Sequence, residues 1–148
     1  IESANIRGFQ IASPSIMGLR CVNVAIDMIY RAGMTAIVNK AQKGTEIMIA
    51  FYDEWLKQLG FRLMTPRDKA KRGGHISLMH ENARNISVAL RNYENTIVDF
   101  REPNQIRIAI SPLAMTYSEL YEGLKRIRDV AESKSFEKIE NFDGKKIY

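Results

Sequence analysis

Two strand-like runs set three residues apart constrain this fold more than any other feature of the chain. TIVDFR (96–101) and QIRIAI (105–110) both favour extended backbone, and only EPN separates them. So short a link cannot carry the crossover that parallel strands need, so the two must pair as an antiparallel hairpin turning through Pro103. In the second run Ile106, Ile108 and Ile110 alternate as on a half-buried strand, which turns Arg107 to the opposite face. On this ground alone Arg107 is either an ordinary solvated charge or a cation suited to an anion.

Around the hairpin the period changes twice. FRLMTP (61–66) and HISLMH (75–80) read as strands joined by the basic loop RDKAKR (67–72). ENARNISVALRN (81–92) reads as a short helix with Ile86 and Leu90 one turn apart, and residues 118–133 as a closing amphipathic helix carrying Leu120, Leu124, Ile127 and Val130. Upstream, residues 35–59 form a long helix with Ile37, Ala41, Ile47, Phe51, Trp55 and Leu59 on its core side. Gly60 ends it, and Gly44 within it costs about 1 kcal/mol relative to Ala. The first helix covers about 14–33, with Ser13 as N-cap, Pro14 in the first turn and Gly33 as C-cap.

That first helix is unusual. Ile16, Leu19, Val22, Ile26 and Ile29 make the expected stripe, but Met17, Cys21, Val24 and Met28 cover much of the other side. A helix apolar nearly all round is buried on more than one face, which implies a partner outside this fold: another domain, another subunit, or both. Cys21 is expected to be a small core residue. The whole order predicts an α+β fold, a small, mainly antiparallel sheet with helices packed on one face, as one domain over residues 1–148.

Composition excludes several classes. With 45% hydrophobic and 26% charged residues the chain is ordinary globular material, and no run of about 18 apolar residues is present to span a membrane. The opening IESANIRGF lacks a basic start followed by an apolar stretch, so no secretory leader is expected, and a start at Ile is expected of a processed or excised piece. The single Cys21 excludes an internal disulfide and fits a reducing cytoplasm. A net charge of +5 favours anions without naming nucleic acid.

Most catalytic signatures are missing. No Gly-rich phosphate loop, GxSxG elbow or cysteine pair occurs, and His75 and His80 fall on opposite faces of one predicted strand, so no metal site is expected. Two anion-sized features remain. Ser13-Pro14-Ser15 opens a helix, where free N–H groups, the dipole and a hydroxyl suit a phosphate as well as they suit plain capping. Arg107 offers a planar fork that matches a carboxylate.

Taken together, RGFQIASPSI (7–16), TPRDKAKRGGHISLMH (65–80) and IVDFREPNQIRIAISPL (97–113) resemble the C-terminal part of the kynureninase family, over roughly residues 6 to 133. The resemblance implies the C-terminal small domain of a pyridoxal 5'-phosphate enzyme of the fold-type I, class V aminotransferase superfamily, a hydrolase cleaving L-kynurenine to anthranilate and L-alanine. It implies that Arg107, standing unpaired, binds the substrate's α-carboxylate, and that Ser13, where Thr or Asn is usual, reaches the cofactor phosphate. Ala12 replaces a family Gly or Ser and contributes no hydroxyl. Asp99, Arg101 and Glu102 match as hairpin salt-bridge residues, and Arg72, Gly73, Gly74 and His75 as the approach to a strand. The Schiff-base lysine and the aspartate for the pyridine nitrogen belong to the family's large domain and have no counterpart here, so no catalytic residue is assigned and the fragment alone is expected to be inactive. The implied setting is a cytoplasmic homodimer that includes the large domain.

Three other readings compete. Another class V enzyme, an aminotransferase or desulfurase, shares the architecture and the arginine. A non-enzymatic basic α+β module for RNA predicts exposed aromatics on the sheet face, which instead carries Asp99, Arg107 and Ala109. A purely structural or dimerisation domain predicts that Arg107→Ala changes nothing.

Overall fold

In the computed structural model, which describes residues 12–139, the hairpin forms as β3 (Asp99–Arg101) and β4 (Gln105–Ala109), paired antiparallel with Arg101 opposite Gln105 and Asp99 opposite Arg107. On the far side of β4 lies β2 (His75–Met79), and beyond it the two-residue β1 (Arg62–Leu63); all three pairings are antiparallel, in the order β1-β2-β4-β3. Since β2 and β3 both run antiparallel to β4, they are parallel to each other. Helix α3 (Ala83–Tyr93) makes the crossover between them, and β4 inserts into the gap. The α+β class is therefore as predicted.

The chain divides into two compact units, residues 1–37 and 38–148. In the second, Ile76, Leu78, Ile106 and Ile108 put their side chains on one face of the sheet and are buried. Against them pack Ile86 and Leu90 of α3, Leu120, Leu124, Ile127 and Val130 of α4 (Tyr117–Glu132), and Met48 from α2 (Met34–Phe51). Helix α4 starts with a capping box, Thr116 and Glu119 bonding each other's backbone N–H groups.

The long helix differs from expectation in two ways. Its last turns widen into a π-helix over Tyr52–Leu56 and tighten to 3-10 over Lys57–Leu59, before Gly60 at φ 86° ends it. Its core stripe is Gly44, Thr45, Met48, Ile49, Tyr52 and Leu56 with Phe51, whereas Ile47, Trp55 and Leu59 are only partly buried. Gly44 explains the shift. A Cβ there would lie 2.7 Å from Ile110 Cγ2, so the helix brings its smallest residue against the end of β4. Trp55 instead stacks on the flank with Phe51 and Tyr121, under the Arg128 guanidinium.

All four strands are shorter than predicted, β1 and β3 by three residues or more. At β1, Thr65 Oγ1 accepts the Ser77 N–H at 2.8 Å, replacing a backbone carbonyl just before Pro66. Ahead of β3, residues 94–96 close α3: the Thr96 N–H bonds the Leu90 carbonyl, and Arg126 donates to the Glu94 carbonyl and the Thr96 hydroxyl.

In the first unit, α1 (Ile16–Ala32) is capped by Ser15, not Ser13; the Ser15 hydroxyl accepts the Gly18 N–H at 3.2 Å. Gly33, at φ 79°, caps the C-terminus as predicted. None of the α1 residues is buried, and Cys21 is exposed, contrary to the core position expected of it, because nothing in the unit covers either apolar side. Among the described residues no single helix is long and apolar enough to cross a membrane.

Candidate functional site

Strand alternation puts Arg107 on the sheet face away from the core, between buried Ile106 and Ile108. Its cross-strand neighbours are Ser77 on β2 and Asp99 on β3. The Ser77 hydroxyl is turned along the sheet, donating to Gln105 Oε1 at 2.7 Å. Asp99 faces the arginine: its Oδ2 lies 2.5 Å from Arg107 Nη2. The same oxygen accepts from Arg101 Nε at 3.0 Å. Arg107 is therefore not the unpaired cation the resemblance implied. The hairpin register brings a carboxylate directly across from it. Two guanidiniums nonetheless share one carboxylate, which leaves one positive charge uncompensated at this point of the sheet.

Beside this trio opens a cleft of about 530 Å³. Its walls are largely apolar, with Val98, Phe100, Met115, Leu120 and Leu124 among them, and Asp99 and Arg107 lie in its lining. Arg91 and Glu119 line it as well. Hydrogen bonds from the Thr116 backbone and hydroxyl hold the Glu119 carboxyl below its usual range, so that carboxylate is committed to capping α4. An apolar cleft with a cation at its margin suits an organic anion with an apolar body.

The other candidates separate clearly. Ser13 is exposed in the first unit and does not cap the helix. No lysine is among the described residues that line the cleft. His75 is exposed, whereas His80 is buried between Phe61 and Phe136. Its Nδ1 accepts the Asn82 N–H at 3.0 Å, so Nε2 carries the proton and donates to the Leu59 carbonyl at 3.1 Å. Burial lowers its pKa, consistent with a neutral structural histidine. In the basic loop, Arg67 forms a two-pronged pair with Asp53 at 2.6 and 2.7 Å, and Arg72 donates to Thr45 Oγ1 and to the Arg67 carbonyl. Two of the loop's cations thus tie it to the helix before β1.

Asp99 as the partner of Arg107, the cleft, and Arg91 within it were not read from the sequence. The pairing had a signal: with Glu102, Pro103 and Asn104 as the turn, Arg101 must face Gln105, and counting back two residues on each strand puts Asp99 opposite Arg107. The cleft had none, since it depends on how α3 and α4 meet the short β3.

Fold and site together define a small α+β domain with a paired cation on the outer face of an antiparallel sheet and an apolar cleft bordered by that pair. The sequence model of the kynureninase C-terminal domain family matches residues 37–127, more than half of the chain, and the chain belongs to that family. The kynureninases of Geobacillus thermodenitrificans and Bacillus thuringiensis are each 31% identical to it, over 134 and 133 residues, and that of Shouchella clausii is 30% identical over 133. Each alignment covers 90% of this chain and 31% of the relative, so the chain spans about a third of the length of the curated relatives it matches. Arg107 falls inside the family match and Ser13 outside it.

Proposed function

We propose that this chain is the C-terminal small domain of a complete, cytoplasmic, homodimeric kynureninase, in which Arg107 binds the α-carboxylate of L-kynurenine and Ser13 contacts the phosphate of pyridoxal 5'-phosphate. The observation that carries the reading is Arg107 itself. Its Nη2 meets Asp99, no other described residue takes a hydrogen bond from it, and an apolar cleft large enough for an aromatic side chain lies alongside. A guanidinium has five N–H donors in a fixed fork, so one contact leaves room for a second carboxylate. Gripping that carboxylate fixes the amino acid's orientation, and the cleft's apolar wall excludes water from the rest of it. The cofactor, held by a large domain outside this chain, supplies the electron sink for bond cleavage when bound. The large domain or a second subunit would cover α1, whose apolar faces are exposed.

The test uses the complete protein with pyridoxal 5'-phosphate, following anthranilate fluorescence after L-kynurenine is added. Arg107→Ala should lower kcat/KM by on the order of 2–5 kcal/mol of transition-state binding, or roughly 30-fold and more. Wild-type turnover with an unaffected variant would remove the role given to Arg107. Cofactor absorbance without turnover would point to another class V substrate, and failure to bind the cofactor would overturn the enzyme reading.

A further inference from the structure

Asp99 stands where a residue competing for Arg107 would stand, yet its geometry is that of a support. It lies directly across the hairpin from Arg107 and touches one terminal nitrogen, Nη2, at 2.5 Å. On its other side the same oxygen is held by Arg101 Nε at 3.0 Å, so the carboxylate is anchored from its own strand. The Asp99 and Arg107 side chains are about equally exposed, 41% and 40%, so a ligand can approach the pair. We propose that Asp99 is the positioning residue for the carboxylate-binding arginine: it pins one edge of the Arg107 guanidinium and leaves the remaining donors aimed for substrate. The proposal rests on the reading of Arg107 given above.

The physical need is clear. A free arginine on a sheet face samples many rotamers, and binding a ligand must then arrest them. Asp99 arrests them in advance. Because Arg101 shares the same carboxylate, this does not neutralise the site, and a substrate anion still meets a net positive charge. The opposite hypothesis, that Asp99 merely occupies Arg107 and must be displaced, predicts the opposite sign. Removing a negative charge beside an anion site should by Coulomb attraction alone tighten substrate binding. If Asp99 positions Arg107, its removal should weaken binding in spite of that gain.

The experiment compares Asp99→Asn with wild type and with Arg107→Ala in the complete, cofactor-saturated protein, measuring KM and kcat for L-kynurenine. Alongside them it measures competitive inhibition by the kynurenine analogue lacking the α-carboxylate. Asp99→Asn should raise KM about tenfold with kcat within about twofold, while inhibition by the carboxylate-free amine stays unchanged. Asp99→Ser should behave alike and serves if circular dichroism shows the Asn variant misfolded. An unchanged or lowered KM in the Asp99 variants, with Arg107→Ala still impaired, would overturn the positioning role and leave the clamp intact. An equal weakening of substrate and amine would mean a general disturbance of the site and would also overturn it. If Arg107→Ala itself leaves KM unchanged, the clamp reading fails first and the role of Asp99 falls with it.

Discussion

Helices α1 and α4 have almost the same length, 17 and 16 residues, and both carry apolar side chains at helical spacing. Helix α4 buries Leu120, Leu124, Ile127, Val130 and Ala131 and turns a charged face outward. Helix α1 buries nothing: Ile16 is 77% exposed and Met17 75%. The difference does not come from apolar content, since α1 has more of it. In the second unit the sheet face and α3 are already filled by α4 and α2, with Ile76, Leu78, Ile106 and Leu90 wholly inaccessible. An apolar stripe states that a helix needs a partner, whereas the space left by the rest of the chain decides whether that partner is internal.

Single substitutions can break the contrast. Leu124→Ala in α4 should destabilise this chain by about 2–5 kcal/mol in denaturant unfolding, because it leaves a cavity in a filled core. Ile26→Ala in α1 should stay within about 0.5 kcal/mol of wild type. An equal cost at both positions would mean that α1 is packed after all. Helix α2 sharpens the point at Gly44. Propensity alone predicts that Gly44→Ala gains about 1 kcal/mol, but the added Cβ would meet Ile110. The expected result is a net loss of about 1–3 kcal/mol, as overpacking prevails. Stabilisation instead would show that the helix does not approach β4 so closely.

Smaller effects separate the caps. Thr116→Ala should cost about 1 kcal/mol by removing a capping box from a packed helix. Ser15→Ala should change global unfolding less, since no α1 residue is buried. Acid gives the gentlest contrast. His80 is buried neutral, so its pKa falls below 6.5 in the folded chain. The stability it contributes is full above about pH 6.5 and is lost as the pH falls from there toward the lowered native value. Unfolding followed through Trp55 fluorescence should show this loss in wild type, and His80→Gln should flatten it.

Much of this was legible in the residues. The three-residue EPN link made the hairpin antiparallel, and the alternation of isoleucines assigned Arg107 its face. All four residues of the predicted α4 stripe are buried, with Ala131 added to them. The misreadings share a cause. Ser13 and Ser15 both suit an N-cap, and the helix begins at Ile16, which leaves Ser15 to accept the Gly18 N–H. The core face of α2 was misjudged because Gly44, scored as a weakness in the helix, is the contact that orients it.

For the candidate site the division runs the same way. The sequence alone determined that a cation would stand on the polar face of β4, because side-chain alternation is a local property of an extended chain. It also contained, in the hairpin count, the pairing of that cation with Asp99. Only the tertiary structure decided that one carboxylate oxygen serves both Arg101 and Arg107, and that an apolar cleft opens beside them. Those facts depend on side-chain directions and on where separate elements meet, which no local periodicity encodes.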